Sequence, residues 1–504
     1  MSKHSSIWME IQAKTKHIKI LLTLLILLLA SESIASDQNE QALTSLKKII
    51  TPLSNKATIA MVVTDLKSPS STLFSMNEFI YLQPASTMKI LTSIIAKQSL
   101  NSKKPFNSTL TAYGKQKAGT FNGNIILDIA ANPEFTHDDL NDMLNHITKN
   151  KIKKINGDII ILKTHFDDIE KVPGTYWDEI DDCYATAVSD ISINKNCFLG
   201  TLFQTKNGIK SYWPQESQPI QLDIQIANNC HDQTNAHTHY PAHGYGVHLT
   251  QNPFKKPETL KGCWNKKVEF IQLKRSIHSP QKALIEAITK YLNKENIQHN
   301  GQIQVTNTKP RALKKPLWKI QKSSSILNEL IKTMLTRSDN HIANQIFKES
   351  AYINLHTPAS WENAQKNAEQ ILNKLNLYDK ESSIVDGAGL SRNNKITAHQ
   401  LQKSLITIYN NKKLKKLIPL FATREQASPF LKHRLHQIKT PLYVKSGSLK
   451  GTVSLAGFID PYGKDPKAFT IIINGNKNVA KDYFSIEKSL LQTISKIKHQ
   501  QKYA

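Results

Sequence analysis

Cysteine is scarce in this chain of 504 residues: there are four, at positions 183, 197, 230 and 263. No CxxC pair occurs among them, so the usual thiolate zinc site is not indicated. Acidic residues are also few, 40 against 66 lysines and arginines. Long apolar runs are missing after the first thirty residues, which leaves no later candidate for a membrane-spanning helix. Internal repeats and long low-complexity tracts are lacking too, and with 39% apolar residues the chain is not globally disordered. Its length exceeds what one hydrophobic core usually serves, which predicts two or more domains.

The one long apolar run, Ile20 to Ala30, follows Lys14, Lys16 and Lys19 and precedes the small-residue segment Ser33-Ile34-Ala35. This is the pattern of a signal peptide over residues 1–35, and it predicts an exported protein, periplasmic or otherwise extracytoplasmic. In an oxidising compartment the four cysteines, even in number and confined to one region, predict two disulfides, with three pairings open. Histidines crowd around Cys230 (His231, His237, His239, His243 and His248), and a polar loop is preferred there to a zinc site. The net charge is +26; residues 1–35 carry four lysines and two glutamates, so the exported chain keeps +24. Outside the cytoplasm such a surface suits an anionic envelope, lipid or wall polymer, rather than nucleic acid.

Two β-rich runs, Ala57 to Leu66 and Ser71 to Met76, are separated by Lys67-Ser68-Pro69-Ser70 and predict a hairpin. Near the other end Leu442 to Lys445, Val453 to Ile459 and Ala468 to Ile473 predict three more strands, with turns at Gly447, Gly451 and Pro461-Tyr462-Gly463. A last helix begins near Lys481, with Phe484, Ile486, Leu490, Leu491, Ile494 and Ile497 at helical spacing. One antiparallel sheet assembled from both termini follows, in a discontinuous α+β domain over 36–100 and 281–504. Between them 101–280 reads as an inserted β-rich module, single or as two nested domains. Helical periodicity resumes over 281–292 and 324–335.

Ser86-Thr87-Met88-Lys89 stands where a helix is predicted to begin, and it places a hydroxyl and an amine one turn apart. A serine hydroxyl needs a base within hydrogen-bond reach to act as a nucleophile. Lysine serves only when unprotonated, which burial and a neighbouring cation both favour. Ser338-Asp339-Asn340 lies between two predicted helices, so that Ser338 and Asn340 point into a cleft while Asp339 turns back to backbone donors. Lys445-Ser446-Gly447-Ser448, on a predicted edge strand, supplies the second cation, with a glycine that lets a peptide approach the strand. Each pattern alone is weak; SxxK, SDN and a KTG-like triplet in this order form the signature of penicillin-recognising serine enzymes.

Further residues narrow the resemblance. Asp386-Gly387-Ala388-Gly389-Leu390-Ser391-Arg392, Lys445 to Leu449, Ser454 to Phe458, and Trp177-Asp178, Tyr184 and Asn194 in the insert resemble the D-alanyl-D-alanine carboxypeptidase/endopeptidase family, the class C low-molecular-mass penicillin-binding proteins. The resemblance covers nearly all of the exported chain. It implies a β-lactamase/transpeptidase-like fold and hydrolysis of peptidoglycan stem peptides or cross-links through an acyl-enzyme, with β-lactams as covalent inhibitors and no cofactor or metal. Ser86 is then the nucleophile, Lys89 its base, Ser338 a proton relay and Asn340 a peptide clamp. Lys445, Ser446 and Ser448 recognise the terminal carboxylate beside Gly447, and the N–H groups of Ser86 and Ser448 form the oxyanion hole. Three positions depart from the family pattern: Asn344 in place of glutamate, Ala388 in place of serine, and Asp128 to Pro133 in place of a glycine-rich turn. A β-lactamase would need a deacylating glutamate. Glu369 with Asn373 is the nearest pattern, read here as surface residues of a helix. A non-catalytic wall-binding scaffold of the same fold would have lost one of these groups, and none is missing.

Overall fold

The computed structural model describes residues 40–69, 72–212, 221–227, 247–250, 259–310 and 315–497. The predicted signal segment, Cys230 and the histidines from 231 to 243 lie outside the described residues.

Alternation of side chains along a strand explains the central sheet, because its three inner strands bury both of their faces. Along Ala57–Asp65, Ile59, Met61 and Val63 point into one core and Ala60 and Val62 into another. The strand pairs with Thr72–Met76 on one side and with Lys467–Gly475 on the other. Thr452–Ile459 and then Leu442–Leu449 complete five antiparallel strands, the last at the edge. The sheet is therefore built from both chain ends, as the sequence predicts. The predicted turn at Gly447 is not one: the edge strand runs on to Leu449 and the reversal comes at Gly451, where φ is +77°.

One face of the sheet is covered by the two terminal helices. A helix over 40–54 buries Ala42, Leu46, Ile50 and Leu53, and Val479–Lys496 buries Tyr483, Leu490, Leu491 and Ile494 beside them. The other face supports a helical layer around Lys89–Ser99. All residues from Lys89 to Lys97 in that helix are buried, as expected for a helix surrounded by others. Leu327–Thr336, Asn340–Leu355, Trp361–Lys374 and Ala398–Asn410 enclose it.

The insert has its own core and a seven-stranded sheet. Pro105–Lys117, Thr120–Asp128, Lys154–Asn156 and Ile159–Leu162 are joined there by Gln298–His299, Ile303–Thr306 and Trp318–Ile326, which lie beyond the predicted end of the insert at 280. Residues 318–326 pair with 105–112, so the helix predicted from 324 begins only at Leu327. The insert is also less purely β than predicted, since it contains the helix His137–Lys149. Two three-stranded sheets follow, one of them formed by Cys197–Thr205, Gly208–Tyr212 and Phe270–Ser276. No helix among the described residues is long and apolar enough to cross a membrane.

Candidate active site

Ser86 sits on a short 3-10 turn, Ala85–Met88, and the α-helix proper starts at Lys89. With three residues per turn, side chains at i and i+3 line up, which brings Ser86 and Lys89 together more directly than an α-helical face would. The turn is clamped by its surroundings. The carbonyl of Pro84 accepts hydrogen bonds from Ser454 Oγ at 2.6 Å and Thr87 Oγ1 at 2.7 Å. Two glycines give it room. A Cβ on Gly447 would stand 2.7 Å from the Ser86 nitrogen and 2.3 Å from Ser454 Oγ; one on Gly389, at φ +81°, would stand 1.9 Å from the Ala85 oxygen. Gly447 thus admits the serine turn against the edge strand, a role that its place in the sequence did not suggest.

Lys89 is fully buried, and its Nζ lies 2.8 Å from Ser86 Oγ, 2.7 Å from Asn340 Oδ1 and 2.8 Å from the Ala388 carbonyl oxygen. Burial lowers its pKa to about 7, against the opposing pull of Asp386 and Asp339. Two of the three partners, an amide oxygen and a carbonyl oxygen, only accept. An unprotonated amine, with two N–H bonds and one lone pair, therefore donates to Asn340 and Ala388 and turns its lone pair to the Ser86 hydroxyl.

Ser338 has a left-handed backbone, φ +57°, followed by Asp339 as the N-cap of Asn340–Leu355, accepting from Ile342 N at 2.9 Å. Asp339 does turn back to the backbone as predicted, and Lys195 of the insert pairs with its other oxygen. Ser338 Oγ and the Ser446 carbonyl accept from Lys445 Nζ at 2.9 and 2.5 Å. Lys445 is also buried, and desolvation together with the nearby Lys89 holds its pKa well below the ordinary lysine value. Ser446 is half-buried and Ser448 exposed on the same strand. The structure thus gathers Ser86, Lys89, Ser338, Asn340, Lys445 and Gly447 from three distant stretches of chain.

The insert reaches this site through a disulfide loop. Cys183 and Cys197 are bonded, with Cα atoms 5.2 Å apart; Cys263 is disulfide-bonded as well. Within the loop, the Tyr184 carbonyl accepts from Asn340 Nδ2 at 2.9 Å, which leaves the amide oxygen facing Lys89, and Lys195 holds Asp339. Closing a loop of 14 residues contributes roughly 3 kcal/mol in the chain-entropy view. The double variant Cys183→Ser/Cys197→Ser is expected to melt lower and, while still folded, to be acylated by penicillin more slowly. Wild-type acylation rates in the folded variant would mean that Asn340 is held without the loop.

Sequence reasoning missed the groups that act through the backbone, the Ala388 and Tyr184 carbonyls, because every residue carries one. It also missed the work of Asp386, a buried carboxylate that accepts from Ala388 N, Leu390 N, Ser391 N and Asn394 Nδ2 and so shapes the loop beneath Lys89. Arg392 bonds Glu179 at 2.5 Å and lies over the Tyr176 ring, tying the same loop to the insert. Glu369 is half-buried and bonds the Tyr378 hydroxyl; it is not among the groups that contact Ser86 or Lys89. Among the described residues no cluster of metal-ligating side chains occurs.

The chain and its fold have counterparts among known proteins. The D-alanyl-D-alanine carboxypeptidase DacB of Haemophilus influenzae is 27% identical over 407 residues, covering 79% of this chain and 82% of its own. The D-alanyl-D-alanine carboxypeptidase of an Actinomadura species is 22% identical over 474 residues, 90% of this chain and 85% of its own. The crystal structure of penicillin-binding protein 4 from H. influenzae superposes with a TM-score of 0.76 at 24% identity, covering 90% of this chain and 99% of that one. Its complex with a β-lactam gives 0.71 at 23%, over 89% and 99%. These structures share the fold, the mixed α/β architecture around one antiparallel sheet. Residues 42–494 match the D-Ala-D-Ala carboxypeptidase 3 (S13) family, and with the serine and lysine pair built as the geometry shows, the chain belongs to that family of serine-type hydrolases.

Proposed function

We propose that this enzyme hydrolyses D-alanyl-D-alanine bonds of peptidoglycan outside the cytoplasm, with Ser86 as nucleophile and Lys89 as its base. The observation that carries this reading is the Lys89 amine, buried and held between Ser86 Oγ and two groups that only accept. Ser86 Oγ attacks the carbonyl carbon of the penultimate D-alanine while its proton passes to Lys89 Nζ. The C–N bond then breaks, and the leaving amine takes a proton through Ser338. Water hydrolyses the resulting ester and restores the serine. Backbone N–H groups of Ser86 and Ser448 stabilise the oxyanion, worth about 3 to 4 kcal/mol per donor in other serine hydrolases.

Lys445 receives the terminal carboxylate with Ser446 and Ser448, on the strand that Gly447 holds against the serine turn. A charged Lys89 disfavours the charge on Lys445. A carboxylate arriving at Lys445 draws the proton there and leaves Lys89 neutral, so substrate binding itself prepares the base. β-Lactams, which carry a carboxylate beside a reactive amide, acylate the same serine.

Incubation with cross-linked muropeptides tests the activity: chromatography is expected to show release of terminal D-alanine, cleavage of D-alanyl cross-links into monomers, or both, and unchanged muropeptides would refute it. The surplus of lysine holds the exported enzyme at the anionic envelope, so a salt wash is expected to release it from envelope fractions. Retention in high salt would show that charge is not what holds it.

A further inference from the structure

The geometry points to Asn344 as a positioning residue for the Ser86 and Lys89 pair: its Oδ1 holds the Gly387–Ala388 peptide so that the Ala388 carbonyl takes one N–H of Lys89 and turns the lone pair on Ser86. This rests on the assignment of Ser86 and Lys89 proposed above. Asn344 belongs to the first turns of the Asn340–Leu355 helix, one turn past Asn340, and is buried. Its Oδ1 accepts from Gly387 N at 2.9 Å and from Ala388 N at 3.0 Å. Ala388 N also leans on Asp386 Oδ2 at 3.1 Å, whereas the Gly387 N–H goes to Asn344. Thr92, on the helix of Lys89, donates to the Gly387 carbonyl at 2.6 Å, so this stretch is gripped from two helices.

One helix thereby sets both acceptors of the Lys89 amine. Asn340 offers its own amide oxygen directly, and Asn344 offers the Ala388 carbonyl through the loop. A third partner without a proton to give would leave the amine no use for its lone pair; Ser86 alone can donate. The charge at position 344 follows from the same geometry. The charged groups acting on Lys89 are Asp386 in the loop and Asp339 at the helix cap, while Lys89 in turn lowers the pKa of Lys445 on the edge strand. Both carboxylates favour the ammonium form. A neutral amide at 344 makes the same two hydrogen bonds as a carboxylate would, without adding a third anion that keeps the base protonated. This is also the position at which the stretch after Ser338-Asp339-Asn340 departs from the family pattern.

The test is the acylation rate per folded molecule of the full exported chain with a fluorescent penicillin, followed from acid to alkaline pH for the wild type, Asn344→Leu and Asn344→Asp. Leucine matches the volume but accepts nothing, and acylation is expected to fall by about ten- to a hundredfold, as misaligned reacting groups do. Aspartate keeps the acceptor, so the alkaline plateau is expected to stay near wild type while the acid limb moves up by about one pH unit. Wild-type rates in the leucine variant would overturn the positioning role. A wild-type acid limb in the aspartate variant would overturn it too, and that variant decides if leucine prevents folding. A wild type that penicillin does not label at all would instead count against the assignment of Ser86 and Lys89.

Discussion

Ser86→Ala is expected to lower D-alanyl-D-alanine hydrolysis by roughly a millionfold, the scale on which loss of a nucleophilic serine acts in a hydrolase whose catalytic groups work as a unit. The fold has no reason to change. Alanine fits the 3-10 turn, and the contacts that clamp it, Ser454 and Thr87 on the Pro84 carbonyl, do not use the Ser86 hydroxyl. Lys89 keeps Asn340 and Ala388 as partners. Melting temperature and non-covalent affinity for a stem peptide should therefore stay close to wild type while turnover disappears. A measurable rate in the alanine variant, above what water alone supports, would mean that another group attacks the carbonyl.

Loss of the base is the second large effect. Lys89→Met removes the proposed proton acceptor and is expected to slow acylation by about a thousandfold to ten-thousandfold. Methionine also leaves the Asn340 and Ala388 oxygens without a donor, which costs stability, so the cleaner comparison is Lys89→Arg. A guanidinium stays protonated throughout the working range and supplies charge and hydrogen bonds but no lone pair. If Lys89 served only as a cation, arginine would rescue activity; as a base it does not. The pH dependence follows with its sign. Burial depresses the pKa of Lys89 to about 7, so the amine is protonated and inactive below that value and becomes neutral as pH rises through it. Wild-type acylation is expected to climb with pH through about 7, and the arginine variant should show no such limb.

Much of this was legible in the sequence, for physical reasons that can be named. The five-stranded sheet was visible because runs such as Ile59 to Val63 are apolar at every position and are bounded by turn residues, which marks a strand buried on both faces. The serine, the lysines and Asn340 were visible because their chemistry requires particular side chains in a particular order. The helix His137–Lys149 was missed, although Thr136 and Asp139 form a capping box and Leu140, Met143, Leu144 and Ile147 recur at helical spacing; the surrounding short strands set the expectation instead. Glycine usually breaks a strand, so the sequence alone predicts a turn at Gly447. Here it is required within the strand, since the backbone of Ser86 occupies the space of its side chain. Contacts such as Lys445 with Ser338, separated by 107 residues, have no local signature at all. Nor does the left-handed backbone of Ala130 and Ala131, at φ +53° and +54° in the turn where the family pattern has glycine, because alanine rarely adopts it.

One hydroxyl, that of Ser86, is expected to become covalently bonded when the enzyme meets an acyl donor. The most direct measurement is mass spectrometry of the exported chain after reaction with penicillin, first intact and then as peptides. A single penicilloyl adduct on the peptide containing Ser86, lost in Ser86→Ala, is the predicted result; an adduct on any other residue, or undiminished labelling of the alanine variant, would contradict it.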